Sequence, residues 1–123
     1  MKNILVVDDE PDVKFLFDLR FRKEIKQGLI NFIYVHSAQE ALSHLHDFAL
    51  LPDKLILSDI NMPGMSGFEL LEKVLEEVPK MHVIMITAYG DKANETKAQK
   101  MGAKEFVTKP VDFNFLRKLI FEP

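Results

Sequence analysis

Apolar positions along this chain fall into two kinds of run. Short, nearly unbroken runs rich in branched residues occur at 3–7, 32–35, 54–58, 82–87 and 105–109. Each is of strand length and bounded by turn residues; the first is apolar on both faces, and the run leading to Asp59 reads as a strand that a covered sheet buries on both sides. Between them the apolar residues recur at helical spacing. The first such stretch predicts a helix over 11–27, with Pro11 suited to its first turn and Gly28 ending it. Its apolar residues, Val13, Phe15, Leu16, Phe17, Leu19, Phe21 and Ile25, cover far more than one stripe. Either two layers bury this helix or part of it forms a partner surface.

The later helices carry clearer punctuation. Ser37 with Glu40, and Ser66 with Glu69, have the spacing of capping boxes. Ala41, Leu42, Leu45, Phe48 and Ala49 give one helix an inner face, and Leu70, Leu71, Val74, Leu75 and Val78 give the next. The stretch over 91–101 is weakly apolar, with Ala93, Ala98 and Met101 as most of what it can bury. It is expected to be loosely held, because packing supplies most helix stability. Asp112 can cap a last helix over 113–121, on which Phe113, Leu116 and Ile120 share a face while Phe115 and Leu119 point elsewhere. Five strands alternating with five helices imply an α/β fold, a parallel sheet covered on both faces. Right-handed crossovers place every strand's carboxyl end on one edge, where such folds bind ligands.

Composition narrows the function. The 123 residues suffice for one domain, and no apolar run approaches bilayer-spanning length. The first strand begins at once, which leaves no room for a signal peptide. With no cysteine there is neither a disulfide frame nor a thiolate metal site. These features suit the cytoplasm. A net charge of −3 without a basic block argues against direct nucleic-acid binding.

The chemistry lies at the strand ends. Asp8 and Asp9 follow the first strand and Asp59 ends the third, just before the Pro63-Gly64 turn. Thr87 ends the fourth strand and Lys109 the fifth. Each has a plainer reading alone: a helix-start acid, a turn residue, a β-former, a surface lysine. Together at four strand ends they describe a site. Carboxylates crowded at one edge call for a hard cation, and oxygen ligands with room for water suit magnesium. Asp9 and Asp59 are the best side-chain ligands, Asp8 acts directly or through water, and the Asn61 carbonyl can add an oxygen. Asp59 is then placed as a nucleophile toward a phosphoryl group, with Lys109 and Thr87 to hold the phosphoryl oxygens. His44 and His46, two apart on a helix, face different ways and make a poor metal pair.

These residues resemble the receiver domains of response regulators in bacterial two-component signalling. The likeness covers nearly the whole chain. It rests on Val7-Asp8-Asp9-Glu10, on the run from Asp59 through Met62-Pro63-Gly64-Met65-Ser66-Gly67, on Thr87-Ala88, and on the run from Gly102 to Lys109-Pro110. The resemblance implies a flavodoxin-like, doubly wound (βα)5 sheet in the order 2-1-3-4-5. It implies that Asp59 accepts a phosphoryl group from a sensor histidine kinase or phosphotransfer protein, in a magnesium-dependent reaction. Asp8, Asp9, Asp59 and the Asn61 main-chain oxygen would hold the metal, and Thr87 and Lys109 would bind the phosphoryl oxygens. Phe106 would be the switch aromatic coupled to Thr87, and the Lys109-Pro110 peptide would be cis. The surface of the fourth β-strand's following helix, the fifth strand and the last helix would be read by a downstream protein, by a fused output domain, or by a second copy on phosphorylation. The domain would thus catalyse only its own phosphorylation and dephosphorylation.

Within this chain the expectation is a single receiver domain over 1–123, with no output domain visible. Tyr89, two residues past Thr87, is expected to restrict water at the site and slow hydrolysis. A second function class is a phosphohydrolase with an aspartyl nucleophile. It is disfavoured because the position two past Asp59, where a leaving-group acid would stand, is Asn61. A third is a flavodoxin-like cofactor module, which would need a phosphate-cradling loop where Asp8-Asp9-Glu10 stands.

Overall fold

Continuous burial of branched side chains sets the frame. In the computed structural model, which describes residues 1–88 and 90–122, five parallel strands form one sheet in the order β2-β1-β3-β4-β5. They are β1 (Lys2–Val7), β2 (Ile30–Val35), β3 (Lys54–Asp59), β4 (Val83–Thr87) and β5 (Glu105–Thr108). Six helices accompany them among the described residues: α1 (Asp12–Arg20), α2 (Arg22–Lys26), α3 (Ala38–Ala49), α4 (Gly67–Glu77), α5 (Lys92–Lys100) and α6 (Phe113–Phe121). The flavodoxin-like order expected from the resemblance is the order observed.

The sheet divides two cores. Strand residues of one parity, including Leu5, Val7, Ile56, Val83 and Met85, pack with α3, α4 and Ala98 of α5. The other parity, Ile4, Val6, Leu55, Leu57, Ile84, Ile86 and Val107, packs with Phe17, Phe21, Leu116 and Ile120. On that second face Phe17 and Phe21 meet Phe32 and Phe113 edge-on, at centroid separations of 5.2 to 5.9 Å across the four pairs. Edge-to-face contact at such separations is favourable beyond the area buried.

The single helix expected over 11–27 is instead two. The chain breaks at Phe21 (φ −108°, ψ 21°), which caps α1 and opens α2. The break turns Phe21 fully into the core. It also exposes the Arg20 carbonyl to the Arg117 guanidinium of α6, which pairs with Glu24 at 2.7 Å as well. The surplus apolar residues of α1 remain outside: Phe15 is 73% and Leu19 52% exposed. Only one layer covers this helix, so the expectation that two layers bury it is not met. On α6, Phe113, Leu116 and Ile120 do share the inner face; Leu119 packs at its margin and Phe115 faces solvent.

The caps follow the sequence with one difference. Ser66 and Glu69 complete a reciprocal box at α4. At α3, Ser37 accepts from the Glu40 N–H, but the Glu40 carboxylate takes the N–H of His36 rather than that of Ser37. Asp112 caps α6 as expected, and Asp91 caps α5.

Candidate functional site

Strand parity assembles the site. Asp8 continues the Ile4–Val6 series past β1, Asp59 ends the Leu55–Leu57 series of β3, and Lys109 continues from Val107. All three thus leave the sheet on the α1/α6 face. Thr87 has the parity of Val83 and Met85, and Met85 pairs in register with Phe106. Thr87 and Phe106 therefore belong to the opposite face, beside α4 and α5. The site straddles the sheet's edge.

Asp8, Asp9 and Asp59 each offer a carboxylate oxygen within 4.8 Å of the others. Asp8 and Asp59 are buried, and Asp9 is more open to solvent. Lys109 Nζ lies 3.3 Å from Asp8 Oδ2 and 3.7 Å from Asp59 Oδ2. Burial pushes the Asp59 carboxyl up, from its ordinary 3.8 to about 6; Lys109 opposes this and Asp8 adds to it, while the N–H groups of Ile60 and Asn61 favour the charged form. Burial alone would lower the Lys109 ammonium, but Asp59 and Asp8 outweigh it and hold the group above its usual value. The cluster carries more negative charge than its lysine can match. Three convergent hard oxygen donors fit a magnesium ion by their chemistry.

The loop geometry keeps these groups in place. The Glu10 N–H donates to Asp8 Oδ1 at 2.9 Å. The Asn61 side-chain amide reaches Thr87 Oγ1 at 3.4 Å, and Thr87 is fully buried. The Lys109 N–H donates to the Thr87 carbonyl at 2.8 Å, tying the ends of β4 and β5, and the Lys109-Pro110 peptide is cis. Gly64 takes φ +78° in the turn after Asp59. Gly67 comes closer still: a Cβ there would overlap the Asp59 carbonyl oxygen and lie 2.8 Å from Ile60 Cα. Only glycine fits that approach.

The structure thus brings together Asp8, Asp9, Asp59 and Lys109, with Asn61 and Thr87 bonded beside them. Phe106 stands apart on the α5 side, partly buried. Tyr89 lies outside the described residues. Sequence reading passed over His36, whose Nδ1 sits 3.2 Å from the Asp8 carbonyl, because a histidine after the second strand carries no motif of its own. It also gave no reason for Gly67.

The family model for the response regulator receiver domain matches residues 4–121. The chain belongs to that family. Among curated relatives of this receiver domain, the response regulator PilR of Pseudomonas aeruginosa is 37% identical over 116 residues, which cover 94% of this chain and 24% of PilR. An uncharacterized 14.6 kDa protein of Leptolyngbya boryana is 42% identical over 113 residues, 89% of this chain and 80% of that one. The receiver domain thus spans about a quarter of PilR but most of the smaller relative. Its structure resembles that of a receiver domain protein from Clostridium thermocellum, with a TM-score of 0.86 and 28% identity over 98% of this chain and 91% of that one. A receiver domain protein from Methanospirillum hungatei gives 0.79 and 30%, covering 99% and 92%. No helix among the described residues is long and apolar enough to cross a membrane.

Proposed function

We propose that this receiver domain is a cytoplasmic, phosphorylation-driven switch with Asp59 as its phosphoacceptor. The observation that carries the reading is the convergence of three carboxylates and one lysine at the carboxyl edge of the sheet. Asp8, Asp9, Asp59 and the Asn61 main-chain oxygen would hold magnesium, which when bound supplies charge neutralisation for an incoming phosphoryl group. An Asp59 carboxylate oxygen attacks phosphorus, and the P–N bond to a kinase or phosphotransfer histidine breaks. Its electron pair returns to the imidazole nitrogen, and an acyl phosphate remains on Asp59. Lys109 moves its ammonium from the carboxylates to a phosphoryl oxygen, and Thr87 donates its hydroxyl to another. Drawing Thr87 toward the phosphate frees space on its own face of the sheet, into which Phe106 turns. The changed surface of α5, β5 and α6 is then read by a partner protein, by an output domain of the same polypeptide, or by a second copy. The span of 1–123 works as one domain in either arrangement.

Incubation with acetyl phosphate and magnesium tests the reading. Asp59 should be labelled, and Asp59→Asn should abolish labelling; label persisting in that variant would place the acceptor elsewhere. Magnesium at a hundredfold excess over its dissociation constant should stabilise the fold by about 2.7 kcal/mol, read as a rise in Tm. A Tm indifferent to magnesium would remove the metal from the site. Tyr89→Ala should shorten the life of the acyl phosphate, and an unchanged decay would dismiss a shielding role for that ring.

A further inference from the structure

Helix α1 turns Phe17 into the core, with Phe21 just past its end, and carries its surplus apolar residues on the opposite side. At about 3.6 residues per turn, the positions farthest from Phe17 and Phe21 are Asp12, Phe15, Leu19, Arg22 and Lys26. They alternate three and four residues apart, which is the spacing of a coiled-coil seam, and all are exposed. The seam crosses the break between α1 and α2. The Phe21 N–H donates to the Phe17 carbonyl and the Ile25 N–H to the Phe21 carbonyl, each at 2.9 Å, so Arg22 continues the line of α1. Leu16, also exposed, flanks the seam. Single exposed apolar residues are ordinary, but Phe15, Leu16 and Leu19 form one patch on one helix.

The order of charges says what covers this patch. Asp18, beside the seam, is already engaged by Lys14 and by the Tyr34 hydroxyl. Asp12, Arg22 and Lys26 make no ion pair among the described residues. The seam thus offers a free acid at its amino end, an apolar middle and free cations at its carboxyl end. An anionic surface would suit Arg22 but meet Asp12, and a cationic one the reverse. A second copy laid parallel would stack Asp12 on Asp12 and Arg22 on Arg22. Laid antiparallel, it sets Asp12 against Arg22 and Phe15 against Leu19, and then repeats both layers in reverse.

We propose that α1 is the seam of an antiparallel homodimer that forms without phosphorylation. Each contact occurs twice about a twofold axis, as a self-complementary interface requires. The carboxyl edges of the two sheets then point in opposite directions, and α5, on the far face of its own sheet, stays uncovered. This pairing stands on α1 alone. It depends neither on the chemistry of Asp59 nor on the surface of α5, β5 and α6.

Sedimentation velocity of the unphosphorylated protein, from micromolar concentrations to about 1 mM, tests the pairing. The contact is small, so the dimer should be weak and its fraction should rise with concentration. Phe15→Glu should weaken it about tenfold or more. Asp12→Arg and Arg22→Asp, each alone, should weaken it about tenfold, since each sets like charges together in two layers. An equimolar mixture of these two variants should dimerise again, and so should the double variant. All these positions are exposed, so Tm should stay near that of the unsubstituted chain and separate association from folding. A monomer at every concentration, or a dimer that appears only with a phosphodonor, would overturn the proposal. So would a dimer indifferent to Phe15→Glu and Arg22→Asp, or a mixture that stays monomeric.

Discussion

Helices α4 and α5 stand on either side of β4 in the chain, and they are held in opposite ways. In α4, Gly67, Phe68, Leu70, Leu71 and Val74 are buried, and a complete capping box closes its first turn. In α5 only Ala98 is buried; Ala93, expected to help bury the helix, is exposed, and its other residues are charged or polar. Among the contacts that also fasten α5 are the Asp91 cap and Lys97 laid over the Phe68 ring at 4.4 Å. The segment that leaves Asp59 is thus anchored through its own hydrophobic face, and the segment that leaves Thr87 is not. Position at the site and freedom at the surface are divided between the two helices, since local opening draws on regions with few buried apolar contacts.

Truncation in each helix should expose this division most sharply. Leu71→Ala should cost about 2–5 kcal/mol in denaturant unfolding, because it empties a closed part of the core. Ala98→Gly should cost only about 1 kcal/mol. Comparable losses would mean that α5 is anchored as firmly as α4. A smaller effect comes from the acid that α4 follows. Because burial holds the folded-state Asp59 carboxyl near 6 rather than 3.8, the folded form binds the proton more tightly than the unfolded chain. Without metal, stability should therefore fall as pH rises from about 4 to about 6 and then level off. Asp59→Asn should flatten that slope and gain about 1–2 kcal/mol at pH 7. A wild-type profile without the slope would show that the charged carboxylate is already well compensated. The smallest contrast concerns the caps. Ser66→Ala should cost about 1 kcal/mol, while amide exchange should be quicker throughout α5 than in the middle of α4. Equal exchange in the two helices would erase the distinction.

Much of this was readable from the residues. The five strands are found within two residues of their expected ends, because continuous branched runs bounded by turns have few other places to go. The convergence of Asp8, Asp9, Asp59 and Lys109 followed from strand ends alone. The break at Phe21 did not. No glycine or proline marks it, and what fixes it is tertiary: a phenyl ring drawn into the core and a carbonyl taken by Arg117 from a helix more than ninety positions later. The overfull apolar face of 11–27 was the available signal, and it pointed to a conflict without locating it. The reason for Gly67 was hidden for a similar cause, since only the path of Ser66-Gly67 back across Asp59 and Ile60 makes a side chain there impossible.

The alternation that places Asp8, Asp59 and Lys109 on one face has a consequence for insertions and deletions. A single residue removed inside β5 would shift its pairing by one and put Lys109 in the place of Thr108, with Pro110 where the lysine belongs, turning the lysine toward α5. Two residues removed would restore the orientation at the cost of reach. The site is therefore written in odd and even counts along three strands. Any attempt to graft it onto another parallel sheet must preserve that parity before it preserves the surrounding sequence.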